Sequence, residues 1–427
     1  MQPLLITIFT VLSIASFWLF FRGRYKFAPL WLMLSAWFIA IAISQLYLSD
    51  LETPWPFKYW YLIGISLISF ILGVWLSDKF WQKYPWWEKI SFWTRNTLSV
   101  KRLRLVIYTL AGLSVISLVL FYKKAGNFPI FSADPDAFRF TADEQVPGLI
   151  NYCAQLARVF IPLSFFLIFY ELFSWKKHWD LVLLSILGAV SLILFTSRTQ
   201  IFFIDLWIMA MYLFMRKPNW KQALKFYPIF LLVSVLVLAA VPIYRQYRSY
   251  GEGYLSSVTH VTVASQNPVA KALLPIYIGV SFNQQALLHA EAYYQTHPLQ
   301  YGKVSLDPFT NLFGKVIKPL NKLKSHFDLG EIFYSWWNTG TYLFPFVQDF
   351  GDAAFYFVPF VIAVILTMLW HYWRSSANFL SINFYSYAMF FVVMTVYLSF
   401  TVRAEMYIDL FLLLVIYWFI SRKVYES

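Results

Sequence analysis

Residues 180–215 read DLVLLSILGAVSLILFTSRTQIFFIDLWIMAMYLFM, and this stretch decides the fold. Two apolar runs, 180–196 and 199–215, flank one tight polar turn. Each is close to the roughly 20 apolar residues that a helix needs to cross a bilayer. The pair therefore reads as two membrane-spanning helices joined at Ser197–Arg198, with Asp205 about two turns further along the second helix.

Runs of the same kind recur outward in both directions. They lie near 2–21, 28–48, 59–77, 104–122, 149–173, 227–244, 353–373, 380–400 and 403–420. With the first pair they predict an all-α polytopic integral membrane protein of about eleven transmembrane helices. Composition agrees: of 427 residues 60% are hydrophobic and 22% aromatic, which excludes an ordinary soluble protein. The net charge of +13 points to topology and anionic lipid head groups, not to nucleic acid. One cysteine, Cys153, excludes an intrachain disulfide framework. The first run has no basic start and no small-residue cleavage site, so it reads as a retained helix.

Lysine and arginine cluster after alternate runs: Arg22, Arg24 and Lys26; the segment 78–104; Lys176 and Lys177; Arg216 to Lys225; Arg374; Arg422 and Lys423. Placing these in the cytoplasm puts the N-terminus outside and the C-terminus inside. Three regions follow: a bundle of eight helices over 1–244, a large outer loop over 245–352, and three last helices over 353–427. Residues 80–98, mixing Trp with Lys, read as a helix on the cytoplasmic interface. Residues 123–148 read as an irregular loop, and the large loop is expected to carry short helices, 270–295 being interfacial or re-entrant. Neither GxxxxGK[ST] nor GxGxxG occurs, which argues against ATP use by this chain.

With this topology Arg139, Arg158, Arg198, Arg245, Arg248 and Arg403 fall on the non-cytoplasmic side, where topology gives arginine no reason to be. A phosphate, held by a bidentate guanidinium, is such a reason. Phe195-Thr-Ser-Arg-Thr-Gln200 has an echo in Phe400-Thr-Val-Arg-Ala-Glu405, each arginine opening a helix whose N-terminal amides favour anions. Asp205 and Asp409 follow at depth, where pairing with an arginine such as Arg158 is the plain reading. Arg245 and Arg248 are three apart and share a helix face, for a phosphate, a sugar or a lipid head group. Arg139 follows Asp134 and Asp136, which offer it local ion pairs.

Asp349, in PFVQDFGD, is either a general base at the outer face or a helix N-cap. His289 is the second candidate base, with His260 and Glu291 behind it. No two histidines have metal-ligand spacing, so no metal is expected, and no cofactor. Trp336, Trp337, Tyr334, Tyr293 and Tyr294 suit either sugar stacking or an interfacial belt.

FPIFSADPDAFRF, FTSRTQ at a helix start and PFVQDFGDAAFYFVPF before a late span resemble the bacterial oligosaccharide repeat-unit polymerases, the Wzy-type O-antigen polymerases. The chain departs from the arginine-to-glycine spacing of some members: Ser256 and Thr259 stand eleven places after Arg245 and Arg248. The resemblance implies a glycosyltransferase in the bacterial inner membrane, active toward the periplasm. It would join repeat units carried on undecaprenyl diphosphate for O-antigen or a related lipopolysaccharide or surface polysaccharide. Arg198, Arg403, Arg245, Arg248 and Arg139 would bind the diphosphate, and Asp349 or His289 would accept the hydroxyl proton. Membrane lipids and a chain-length-regulating co-polymerase are the implied partners. An O-antigen ligase is the near alternative, and a lipid-linked oligosaccharide flippase or transporter the more distant one.

Overall fold

The structure, a computed structural model, describes residues 2–84, 97–218, 221–222, 228, 232, 240–241, 243–261, 268–313, 317, 329–335, 337 and 339–422. Among the described residues the chain is helical, apart from a two-residue antiparallel pairing of Thr97 with Arg422 and Leu98 with Ser421. Among the described residues seven helices are long and apolar enough to cross a membrane: Gln2–Phe20, Phe57–Lys83, Val100–Ala125, Gly148–Glu171, Trp175–Leu194, Thr199–Arg216 and Phe344–Ser375. They are the first, third to seventh and ninth of the expected spans. The protein is thus a multi-pass helical membrane protein.

Two further apolar helices are shorter than expected, Pro29–Ser44 and Phe379–Met394. The second of these stops where Thr395 is drawn aside: Tyr342 donates its N–H to the Thr395 carbonyl at 2.9 Å, and the Trp37 indole donates to the Thr395 hydroxyl at 3.1 Å. The last expected span appears as Ala404–Ile420. Most of the expected span 227–244, and residues 85–96 of the expected interfacial helix, lie outside the described residues.

The chain forms two compact units that cut across the linear order. The first comprises residues 1–92, 277–376 and 388–410; the second comprises 93–276, 377–387 and 411–427.

In the first unit Phe57–Lys83 packs along Ala354–Ser375. A Cβ on Gly73 would stand 2.8 Å from the Phe360 carbonyl oxygen and 2.8 Å from the Ala363 Cβ. Only glycine allows that approach, which is how helices associate where lipid removes the hydrophobic drive. The two helices run in the same direction: Lys58 pairs with Asp352 at one end and Asp78 with His371 at the other. Gln2–Phe20 and Pro29–Ser44 pack together, and the Ser13 hydroxyl donates to the Ser35 carbonyl at 2.9 Å between them.

The expected short helices of the large loop are instead dominated by one 26-residue helix, Pro268–Tyr293. From Tyr277 on it belongs to the first unit, where Ser281, Phe282, Asn283, Gln284 and Gln285 are fully buried. The polar interruptions that suggest an interface helix each find a partner inside the protein. Asn283 donates to the Tyr397 carbonyl at 2.7 Å, Gln284 accepts from the Tyr59 hydroxyl at 3.2 Å, and Gln285 exchanges two bonds with the Thr53 backbone. Three consecutive amides thereby bind three separate segments.

In the second unit Val100–Ala125 ends on Gly126, whose φ of +76° closes the helix at a left-handed residue. Gly188 of Trp175–Leu194 receives the Phe160 ring of Ala157–Glu171, with 2.8 Å to a built Cβ. Residues 123–148, expected to be irregular, contain the helix Pro135–Gln145. Asp134 is its N-cap, accepting from the Asp136 and Ala137 N–H groups at 3.1 and 3.0 Å. Ala142 and Val146 then pack with Phe121, Ala154 and Phe195 in one buried cluster.

Candidate functional site

Four polar residues of one helix in the first unit converge on the strap 48–55. Tyr277, Ser281, Gln285 and His289 recur every four residues and so occupy one face of Pro268–Tyr293. Each is hydrogen-bonded to the strap. Tyr277 and Ser281 donate their hydroxyls to Glu52, whose carboxylate also accepts the Ser49 N–H at 3.0 Å. The Leu48 N–H donates to the Tyr277 hydroxyl at 2.8 Å. Gln285 holds Thr53, and the Thr53 hydroxyl lies 3.4 Å from His289 Nε2. Glu52 is 8% exposed, and burial lifts its carboxyl above the ordinary range against the pull of its Ser281 and Tyr277 donors.

His289 is half-buried, and burial pulls its imidazole below the ordinary histidine value. The ring is therefore neutral at pH 7 and able to accept a proton. Phe333 covers it at 5.1 Å between ring centroids. Two residues on, Glu291 is 4% exposed and takes Lys58 at 2.5 Å, which also reaches Asp352 at 2.8 Å.

Asp349 sits differently. It is fully buried near the end of the helix Phe344–Phe350. Its two oxygens accept the Val304 N–H at 3.1 Å and the Ser305 N–H at 2.7 Å. The carboxylate holds the turn 301–306, and the position is not a helix N-cap. Both oxygens hold amides and the residue is fully buried, whereas His289, the other candidate base, is half-buried.

Arg403, also in the first unit, follows the 3₁₀ turn Phe400–Val402 and immediately precedes Ala404–Ile420. Its side chain is exposed and has no partner among the described residues. Of the aromatic candidates, Tyr293 stacks on His297 at 3.7 Å and Tyr334 donates to the Leu51 carbonyl at 3.4 Å. Tyr294 is buried, Trp337 lies 5.7 Å from the Phe282 ring, and Trp336 lies outside the described residues.

Arg139, Arg245 and Arg248 all lie in the second unit, on two segments that are pinned together. Arg139 is on Pro135–Gln145, three residues after Asp136. Arg245 and Arg248 are on the helical stretch 243–250. The two segments are pinned by Arg245 Nε to Asp136 Oδ1 at 2.7 Å, by the Asp136 N–H to the Ser249 hydroxyl at 3.2 Å, and by the Tyr244 hydroxyl to the Ile130 carbonyl at 2.9 Å. The Ser249 hydrogen bond, with the cap amides, holds the Asp134 carboxyl below its ordinary value. The local ion pair that Asp136 offers is thus made by Arg245. Arg248 is exposed and has no partner among the described residues. Arg198 opens the helix Arg198–Arg216 as expected, after Ser197 at the N-cap, and its side chain lies outside what the structure describes. Arg158 and Asp205 are both buried in this unit, at 4% and 9% exposure.

The strap and its helix face are the feature that reading the sequence misses. Glu52 stands in a loop, LSDLETPW, with no motif around it; the only signal is the fourfold spacing Tyr277, Ser281, Gln285, His289.

Fold and site together define a polytopic helical membrane protein with an arginine-bearing extramembrane region. No protein-family model, no curated protein and no solved structure matches the chain.

Proposed function

We propose that this protein is a membrane glycosyltransferase that polymerises oligosaccharide repeat units carried on undecaprenyl diphosphate, at the periplasmic face of the inner membrane. The observation that carries the reading is the arginine group of the second unit. Two segments outside the seven spans are pinned at Asp136–Arg245, and Arg139 and Arg248 accompany that pair. Arg248 has its guanidinium exposed for an anion.

In the reaction, the bond from the donor sugar's anomeric carbon to the diphosphate oxygen breaks, and its electron pair leaves with the diphosphate. The acceptor sugar's hydroxyl oxygen forms the new bond to that carbon and loses its proton to His289 Nε2. Arg139, Arg198, Arg245 and Arg248, all in the second unit, are assigned to the diphosphate, whose charge grows as the bond breaks. The base is assigned to His289 instead of Asp349, because Asp349 is fully buried beneath two amides whereas His289 is half-buried and neutral. The membrane lipid surface supplies the donor, and a co-polymerase that sets chain length is the expected partner. A ligase would use the same donor and the same arginines.

The test is complementation. In a strain lacking this gene, the wild type is expected to restore a ladder of surface glycan. Arg248→Ala is expected to slow transfer about a hundredfold, the effect of losing roughly 3 kcal/mol of anion stabilisation, and the Arg198→Ala, Arg248→Ala double mutant should leave a single repeat unit. A deletion strain whose ladder is intact would sink the proposal. A deletion strain lacking even the single unit on the lipid core would favour a ligase or flippase.

A further inference from the structure

We propose that an interruption within the span Gly148–Glu171 is a binding site for the hydroxyl groups of a saccharide. The inference rests on the glycan-handling reading above and adds a second role for the turn FTSRTQ.

The span is broken at Gln155 and Leu156, between the helices Gly148–Ala154 and Ala157–Glu171. The backbone tightens there: the N–H groups of Leu156, Arg158 and Val159 donate three residues back, at 3.2, 3.2 and 2.9 Å. Pro162 then lacks the N–H that the Arg158 carbonyl would otherwise receive. Ser114 of the neighbouring helix donates its hydroxyl to the Ala154 carbonyl at 3.1 Å. Broken backbone within a span is tolerated where other groups satisfy it or where it lines a site.

The turn before Arg198–Arg216 adjoins this break. Phe195 packs with Ala154 in one cluster, and Gln200 donates its amide to Gln155. Gln155 in turn donates to Asn151 at 2.7 Å. Thr196 is 2% exposed and held at φ +51°, a left-handed conformation that a β-branched residue rarely takes. Its hydroxyl oxygen and the Gln200 carbonyl oxygen are buried and without a hydrogen-bond partner among the described residues. A buried polar atom left unmet is costly, and a strained residue bearing one marks a place where something binds.

The unmet atoms define the ligand. A carbonyl oxygen needs a donor, and a threonine hydroxyl both gives and takes. A phosphate at neutral pH offers mainly acceptors and would leave Gln200 unmet. A sugar hydroxyl supplies donor and acceptor at one atom. Arg158, at 4% exposure, is already engaged over the Tyr152 ring at 4.5 Å, and the amide chain from Gln200 through Gln155 to Asn151 borders the site.

The test uses the full-length protein in lipid nanodiscs. The probe is the repeat-unit oligosaccharide cleaved from its lipid diphosphate, followed by saturation-transfer NMR. The wild type is expected to bind it. Gln200→Leu and Thr196→Gly are each expected to weaken binding about fivefold or more, as loss of one hydrogen bond to a buried group requires. Glycine suits the left-handed backbone, so Thr196→Gly is expected to fold with an undiminished thermal midpoint, which separates lost binding from lost structure. Arg248→Ala is expected to bind this phosphate-free probe as the wild type does. No saturation transfer to the wild type, or equal transfer to both site variants, overturns the site, even with the glycan ladder restored by the wild type. Binding that depends on Thr196 and Gln200 in a protein that restores no ladder would uphold the site while the polymerase reading fell.

Discussion

Two acidic or basic groups in the first unit look alike in sequence and differ in what their surroundings leave them free to do. Asp349 is spent on the Val304 and Ser305 amides, so Asp349→Asn is expected to lower the thermal midpoint, by about 2 kcal/mol of stability, and to speed hydrogen exchange at those two amides. His289 is pulled below the ordinary value by burial, so its neutral, proton-accepting form is present above that lowered pKa. Transfer is therefore expected to rise with pH through a value below about 6.5, the unperturbed pKa, and to level off before neutrality. His289→Gln should remove that limb and cost on the order of a hundredfold or more in rate. A His289→Gln enzyme with an unchanged pH profile would exclude this base. Glu52 has the opposite sign. Its folded carboxyl is raised by burial, so its contribution to stability is full below the unfolded carboxylate pKa and fades as pH rises through the folded value. Thermal unfolding of the wild type should accordingly show stability falling across that window, and Glu52→Gln should flatten the trend. Asp349 and His289 are visible in the sequence as candidates, but the amides that occupy one and the burial that tunes the other are set by chain segments far away, residues 301–306 and the strap.

At the scale of elements, the apolar runs make most spans legible, since a bilayer demands length and little else. What the runs conceal is contact between helices. Gly73 in ISLISFILGVW carries no local signal, yet a Cβ there meets the Phe360 carbonyl and Ala363. Gly73→Val is expected to force the pair apart and destabilise by roughly 1–3 kcal/mol, read as a lower thermal midpoint in detergent. A variant with wild-type stability would show that the groove yields. The sequence reads 270–295 as an interfacial or re-entrant helix, because polar residues such as Asn283, Gln284 and Gln285 interrupt an apolar run. They are buried because each amide finds a partner on a different segment. The stripe Tyr277, Ser281, Gln285, His289 was legible only as spacing, and its meaning came from the strap that covers it.

At the scale of the whole molecule, the units ignore chain order, and linear division by loops describes topology without describing packing. Arg198 and Arg403, matched by local sequence, belong to different units, whereas Asp136 and Arg245, far apart in sequence, pair at 2.7 Å. Raising the salt concentration is expected to weaken donor capture, with a smaller salt dependence in Arg248→Ala, since a surface guanidinium acts over about a Debye length. The parallel pairing of Phe57–Lys83 with Ala354–Ser375 also sets a clock. Between residues 83 and 354 some 270 residues must be made, which at about 5–20 residues per second takes roughly 15–55 seconds. Throughout that interval the groove at Gly73 has lipid for a neighbour, and the first unit can close only once the ninth span has left the ribosome.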